Sequence, residues 1–276
     1  MALIQDLDDR QMPLLDHLIE LRNRLMYACA AMLLGFLVCY FFAEEIYAFL
    51  VRPLADIYQG QTGRRMIYTG LTEAFFTYLK VAFWAGAFLT FPFVAIQLWM
   101  FIAPGLYRNE KRALMPFLMA TPVLFFMGGA MVYYFIFPLA WRFFLSFETP
   151  GAEGVLPIEL EARVGEYLSL VMKLIFAFGL SFQLPVALTL MGRVGLVSAD
   201  GLARNRKFAI VGVFVAAAVI TPPDIISQIG LGLPIIVLYE LSILAVRAVE
   251  RRRAAQEAAE EEAEADETST ELDPGP

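Results

Sequence analysis

Two acids sit among bases at positions where bases alone are easy to explain. Glu20 lies in HLIELRNRL (His17 to Leu25) beside Arg22 and Arg24, and Glu110 lies in FIAPGLYRNEKR (Phe101 to Arg112) between Arg108 and the pair Lys111, Arg112. The second stretch is a break between two long apolar runs, at Pro104-Gly105. Bases in such a place anchor a loop to a membrane surface, whereas an acid fixed there reads as half of a receptor for positive charge. Taken singly, each acid also has a plainer use: an i,i+4 pair of Glu20 with Arg24, worth about 0.2–0.5 kcal/mol, and neutralisation of Glu110 by its own neighbours.

Enzyme chemistry lacks its parts. The single histidine, His17, precedes the first apolar run and cannot serve a nucleophile inside the bundle; it reads as a surface or interface residue. There is no HExxH, no aspartate pair within the apolar runs and no GxxxxGK[ST] loop, so metal, aspartyl and nucleotide-driven reactions are not expected. The chain is therefore read as no enzyme, with no cofactor, no bound metal and no nucleic-acid partner.

The elements that must position the two acids are membrane spans. Hydrophobic residues make up 59% of the 276 positions and the mean hydropathy is +0.63, which excludes an ordinary soluble chain. The net charge of −7 belongs to the tail: nine of the 28 acids follow residue 253, and without them 21 bases face 19 acids. The expected domains are an amphipathic cytoplasmic segment over 1–24, with Leu14, Leu18, Leu21 and Leu25 at helical spacing, a six-helix membrane domain over 25–249, and an acidic tail over 250–276. The tail, rich in Ala and Glu, reads as a frayed helix or a disordered extension. Cys29 and Cys39 are about 15 Å apart along one helix and cannot pair within it, and no removable signal peptide is expected.

The fold class predicted is all-α and polytopic, with six transmembrane helices, several kinked by proline and the last two short. The runs are Leu25 to Ala43, Ala74 to Ala103 with Pro92, Ala113 to Trp141 with Pro116, Pro122 and Pro138, Tyr167 to Met191 with Pro185, Phe208 to Ile220, and Ile225 to Val249 with Pro234. Between the first two, Glu44 to Thr72 reads as a polar loop with a possible short surface helix over Ile46 to Leu50. The fifth run has 13 apolar residues, about 20 Å of helix against a core of about 30 Å, so local thinning of the bilayer is expected. With the N-terminus inside, cytoplasmic segments carry 14 of the Lys and Arg residues and the outer loops five, which places both termini in the cytoplasm.

Polar groups inside the runs are Lys80, Gln97, Lys173, Gln183 and Glu240. Such groups mark cavities or functional surfaces. Lys80 and Lys173 stand about two turns from the outer ends of their helices, so snorkelling is an equal alternative for both. Gln183 and Glu240 are expected to face protein or water. They leave a runner-up reading open, a secondary solute or ion transporter using Lys80, Lys173 and Glu240, although no internal repeat supports it.

HLIELRNRL, FIAPGLYRNEKR, FGLSFQLPV (Phe178 to Val186) and TPPDIISQ (Thr221 to Gln228), in that order within six spans, closely resemble the TatC family, the polytopic core of the twin-arginine protein translocase. The resemblance covers nearly everything but the tail. It implies a bacterial cytoplasmic-membrane receptor for signal peptides with consecutive arginines, which works with single-span TatA and TatB proteins, associates with itself in a larger complex, and moves folded proteins at the expense of the proton gradient. By position it implies Glu20 and Glu110 as signal-binding acids, with Phe101 beside the second and His17, Leu21 and Arg22 on the supporting face. An arginine pair offers two planar cations, each able to take a bidentate contact from a carboxylate worth about 1.5–3 kcal/mol, a fork that lysine lacks. The resemblance also makes Pro53, Tyr133 and Asp224 sensitive positions, through the outer cap and its turns: Pro53 fixing a turn and Asp224 capping the last helix. It places the partner spans near Thr221 and Gln228. The family often has a glutamate where this chain has Gln183, so a neutral polar group is expected to suffice there.

Overall fold

The computed structural model describes residues 14–58, 63–102, 111–151, 156–220 and 225–271. Among these the chain is helical, and extended structure is limited to two isolated bridges, Ile67–Arg163 and Thr149–Ile158. Its internal contacts group the chain into two compact units, Met1–Gly179 and Leu180–Pro276.

In the first unit the lead-in segment and the first span fuse into α1, Leu14–Phe41, because the leucine spacing runs into the apolar stretch with neither proline nor glycine to stop it. The supposed loop after it holds α2, Ala43–Ile57, three times the length of the short helix expected there. Pro53 therefore lies inside a helix, which corrects its expected place in a turn. The second run forms α3, Glu73–Ile102, which pairs with α1. The two backbones meet at Gly35 and Gly86: a Cβ on Gly86 would stand 2.5 Å from the Phe36 nitrogen, and one on Gly35 would stand 2.6 Å from Thr90 Cγ2. In lipid no hydrophobic force drives helices together, so this closeness supplies the packing contact that does.

The third run is α4, Lys111–Met131, then a π turn, Val132–Ile136, then α5, Phe137–Leu145. At the turn the Phe137 N–H reaches back five residues to the Val132 carbonyl, so the helix takes up an extra residue just before Pro138. Helix α6, Val164–Ser181, follows. The buried Phe125 ring packs on Phe91 (centroids 3.6 Å apart), Phe88 (4.8 Å) and Phe176 (5.7 Å), joining α3, α4 and α6.

The fourth run breaks at Phe182 and Gln183, and α7, Leu184–Arg193, restarts it with Pro185 in its first turn, where the missing N–H costs nothing. Helix α8, Ala199–Arg204, is capped by the Ser198 hydroxyl, which accepts the Gly201 N–H at 3.1 Å. Helix α9, Arg206–Ile220, has 15 residues, about 22 Å at 1.5 Å each. Helix α10, Ile225–Glu271, has 47 residues. Of the last two helices only α9 is short, because the Ala- and Glu-rich tail keeps a high helix propensity and carries α10 on without a break. Among the described residues five segments are long and apolar enough to cross a bilayer: Leu15–Phe41, Glu73–Phe101, Phe117–Leu145, Val164–Arg193 and Gln228–Gln256. The sixth apolar run is α9.

Candidate functional site

Glu20 sits where the start of α1 lies against the end of α3. Arg24, one turn on, donates to Glu20 Oε1 from Nε at 2.8 Å and from Nη2 at 2.5 Å, and its third nitrogen, Nη1, reaches Gln97 Oε1 on α3 at 3.4 Å. The side chains of Arg24 and Glu20 are only 19% and 23% exposed, so this pair is less screened than a surface pair of the same spacing. The plainer reading of Glu20 is thus realised, and it does more than neutralise a charge, because it links two helices through Gln97. One turn before it, the His17 ring stacks on Phe101 with centroids 4.4 Å apart and planes 16° from parallel. Two of the four motifs in the sequence therefore meet at one end of the α1–α3 pair.

A carboxylate offers about four acceptor directions, and Arg24 takes two of them. The site can hold a guanidinium, since it holds one. Leu21 and Arg22 are exposed beside it, and Arg22 turns to its neighbour, donating to Asn23 Oδ1 at 3.3 and 3.2 Å. Glu110, the other expected acid, lies outside the described residues, as do Thr221 and Asp224.

At the far end of α1 the structure joins Pro53 and Tyr133. Proline has no N–H, so the Phe49 carbonyl, four residues before it, loses its helical partner. The Tyr133 hydroxyl, from the π turn, donates to that carbonyl at 2.8 Å, and its ring stacks on Phe49 at 4.3 Å and 3°. Next to it the Tyr167 hydroxyl donates to the Leu50 carbonyl at 3.1 Å. Pro53 opens a gap that Tyr133 fills, and Tyr167 bonds the neighbouring carbonyl although no sequence motif points to it. Around them, Arg64 donates to both oxygens of Glu148 at 2.7 and 2.5 Å. That guanidinium, helped by the Leu160 N–H at 2.8 Å, holds the Glu148 carboxyl below its usual range.

The remaining polar residues separate. Lys80 and Lys173 are exposed. Gln183 is half-buried at the break between α6 and α7, its N–H on the Leu180 carbonyl at 2.9 Å. Gln228 donates from Nε2 to the Phe214 carbonyl on α9 at 3.2 Å. Glu240, expected within the hydrocarbon as a partner contact, accepts from Arg206, the first residue of α9, from Nε at Oε1 and from Nη2 at Oε2, both at 2.8 Å. Antiparallel α9 and α10 bring the acid level with a base that the charge pattern assigns to the cytoplasmic surface. Among the described residues no three His, Cys, Asp or Glu side chains gather as a metal site.

A family model described as Sec-independent protein translocase protein (TatC) matches residues 16–234. The TatC protein of Magnetococcus marinus is 53% identical over 253 residues, covering 92% of this chain and 90% of its own. That of Escherichia coli is 39% identical over 231 residues, covering 84% and 86%. A crystal structure of the twin-arginine translocase receptor TatC superposes with a TM-score of 0.73 at 33% identity, covering 85% of this chain and 99% of its own. With its helices, its motifs and these likenesses in agreement, the chain belongs to the TatC family of Sec-independent protein translocase proteins.

Proposed function

We propose that this chain is the receptor subunit of a twin-arginine translocase and that Glu20 and Glu110 bind the two arginines of the signal peptide, with Phe101 packed beside them. It works as a receptor and scaffold, not as an enzyme. The observation that carries the reading is Glu20 itself: a carboxylate set in the α1–α3 seam, already holding a guanidinium in a two-bond contact, with the His17–Phe101 stack next to it. An incoming arginine either takes the acceptor directions that Arg24 leaves or displaces Arg24, and water is scarce enough at the seam for the charge contact to count. The positive-inside count supports a cytoplasmic position for this end, the side of a bacterial inner membrane on which precursors would arrive. TatA- and TatB-type single-span partners pack near α9 and α10, where Gln228 offers a polar side chain and the 15-residue α9 is too short to span an unthinned core.

Photo-crosslinkers placed at positions 20 and 110 test the assignment. Both should capture a twin-arginine precursor, and capture should fall when its arginines become lysines. Cross-links that form only from the outer loops would reverse the orientation, and capture blind to lysine would favour a solute transporter.

A further inference from the structure

Beyond signal-peptide binding, two cavities of the first unit adjoin at the end remote from Glu20. The first, of about 360 Å³, is an apolar groove between α2, α3, α4 and α6, lined by residues such as Val81, Phe88, Ala130 and Ile175, and it has the size of an ordinary ligand site. The second, of about 330 Å³, is lined by Phe49, Arg52, Pro53, Asp56, Tyr133 and Tyr134. Phe49, Tyr133 and Tyr134 line both, so the polar chamber and the apolar groove share a wall.

The polar chamber presents one cation and one anion a single turn apart. Arg52 Nε stands 3.9 Å from Asp56 Oδ2, with side chains 73% and 54% exposed. The exposed Tyr134 ring beside them can meet a cation, and its amphipathic character suits a membrane–water interface. A ligand that matches this order of chemistry carries an anion and a cation a few atoms apart at one end and a hydrocarbon chain at the other. A free phosphate lacks the chain, and a fatty acid lacks the cation.

We propose that these two chambers bind one phospholipid with a zwitterionic phosphoethanolamine headgroup: the phosphate on Arg52, the ammonium on Asp56 beside the Tyr134 ring, and one acyl chain in the groove below. Bound there, the lipid braces α2 at Pro53 against the π turn.

Native mass spectrometry of the full chain in mild detergent, with dioleoyl phosphatidylethanolamine or dioleoyl phosphatidylglycerol added, tests the site. The wild type should retain one phosphatidylethanolamine, in clear preference to phosphatidylglycerol. Arg52→Gln should lower retention of both lipids about tenfold or more, because both use the phosphate contact. Asp56→Asn should lower only phosphatidylethanolamine and erase the preference. Ala130→Trp, which fills the groove and leaves the headgroup residues intact, should lower both. Binding of a twin-arginine peptide at the other end of α1 should be unchanged in all three variants, which shows that they are folded. Equal retention of the two lipids by the wild type, or undiminished retention in folded Arg52→Gln or Ala130→Trp, would overturn the proposal.

Discussion

The Tyr133 hydroxyl occupies the place of the helical N–H that Pro53 cannot supply, donating at 2.8 Å to the carbonyl of Phe49. Tyr133→Phe keeps the ring stack and strands that carbonyl, so it should destabilise the chain by about 1–3 kcal/mol. Pro53→Ala restores an N–H at position 53, so in the double variant the loss of the hydroxyl should cost much less. Thermal unfolding of the two single variants and the double variant in detergent measures the coupling. Strictly additive losses would show that the hydroxyl does not serve the proline gap.

The crossing of α1 and α3 should be as important for peptide binding as the residues that touch the peptide. A methyl on Gly86 meets backbone atoms of Phe36 and Gly35 at 2.5 and 2.7 Å, and one on Gly35 first meets a Thr90 side-chain atom at 2.6 Å. Gly86→Ala should therefore cost more than Gly35→Ala, with overpacking of this kind typically costing about 1–3 kcal/mol. It should also weaken signal-peptide binding, by moving Gln97 and Phe101 away from Glu20. Unchanged affinity in folded Gly86→Ala would show that the site does not depend on the crossing.

Acid should loosen the outer cap through Glu148. Its folded pKa lies below the ordinary 4.5 because Arg64 donates to it, so the pair stabilises the fold fully above that value, and the contribution is lost as pH falls below it through the folded pKa. A series of unfolding temperatures from neutral pH to pH 3 should show this loss in the wild type. In Glu148→Gln stability should be lower at neutral pH and the acid-dependent part smaller. An unchanged acid profile in that variant would place the sensitivity elsewhere.

Transport by Gln183 variants tests what the break between α6 and α7 requires. If the position needs a polar side chain and no proton carrier, Gln183→Glu should stay active and Gln183→Leu should lose most activity. A fully active leucine variant would remove the requirement.

Much of this was legible in the sequence, for physical reasons that can be named. Apolar runs and their prolines marked the spans, since burying a backbone in lipid leaves helix as the open-chain solution. The i,i+4 pair of Glu20 and Arg24 follows from helical spacing alone. What escaped depends on contacts far apart along the chain. Pro53, among glycines and charges, read as a turn residue, and only a hydroxyl 84 positions from Phe49 makes a proline-containing α2 tolerable. Gly35 and Gly86 are unremarkable singly and matter because they face each other. The base that meets Glu240 begins another helix, at Arg206, so the sequence of α10 alone does not announce the pair.

The most direct measurement is the affinity of the purified full chain for a fluorescent twin-arginine signal peptide and for its twin-lysine counterpart, in wild type, Glu20→Gln and Glu110→Asp. Wild type should prefer the arginine peptide about tenfold or more, the difference expected when a bidentate contact is lost. Glu20→Gln should nearly abolish that preference, and Glu110→Asp, which keeps the charge and shortens the reach, should reduce it. Equal affinity of the wild type for the two peptides, or an undiminished preference in Glu20→Gln, would contradict the assignment of this site.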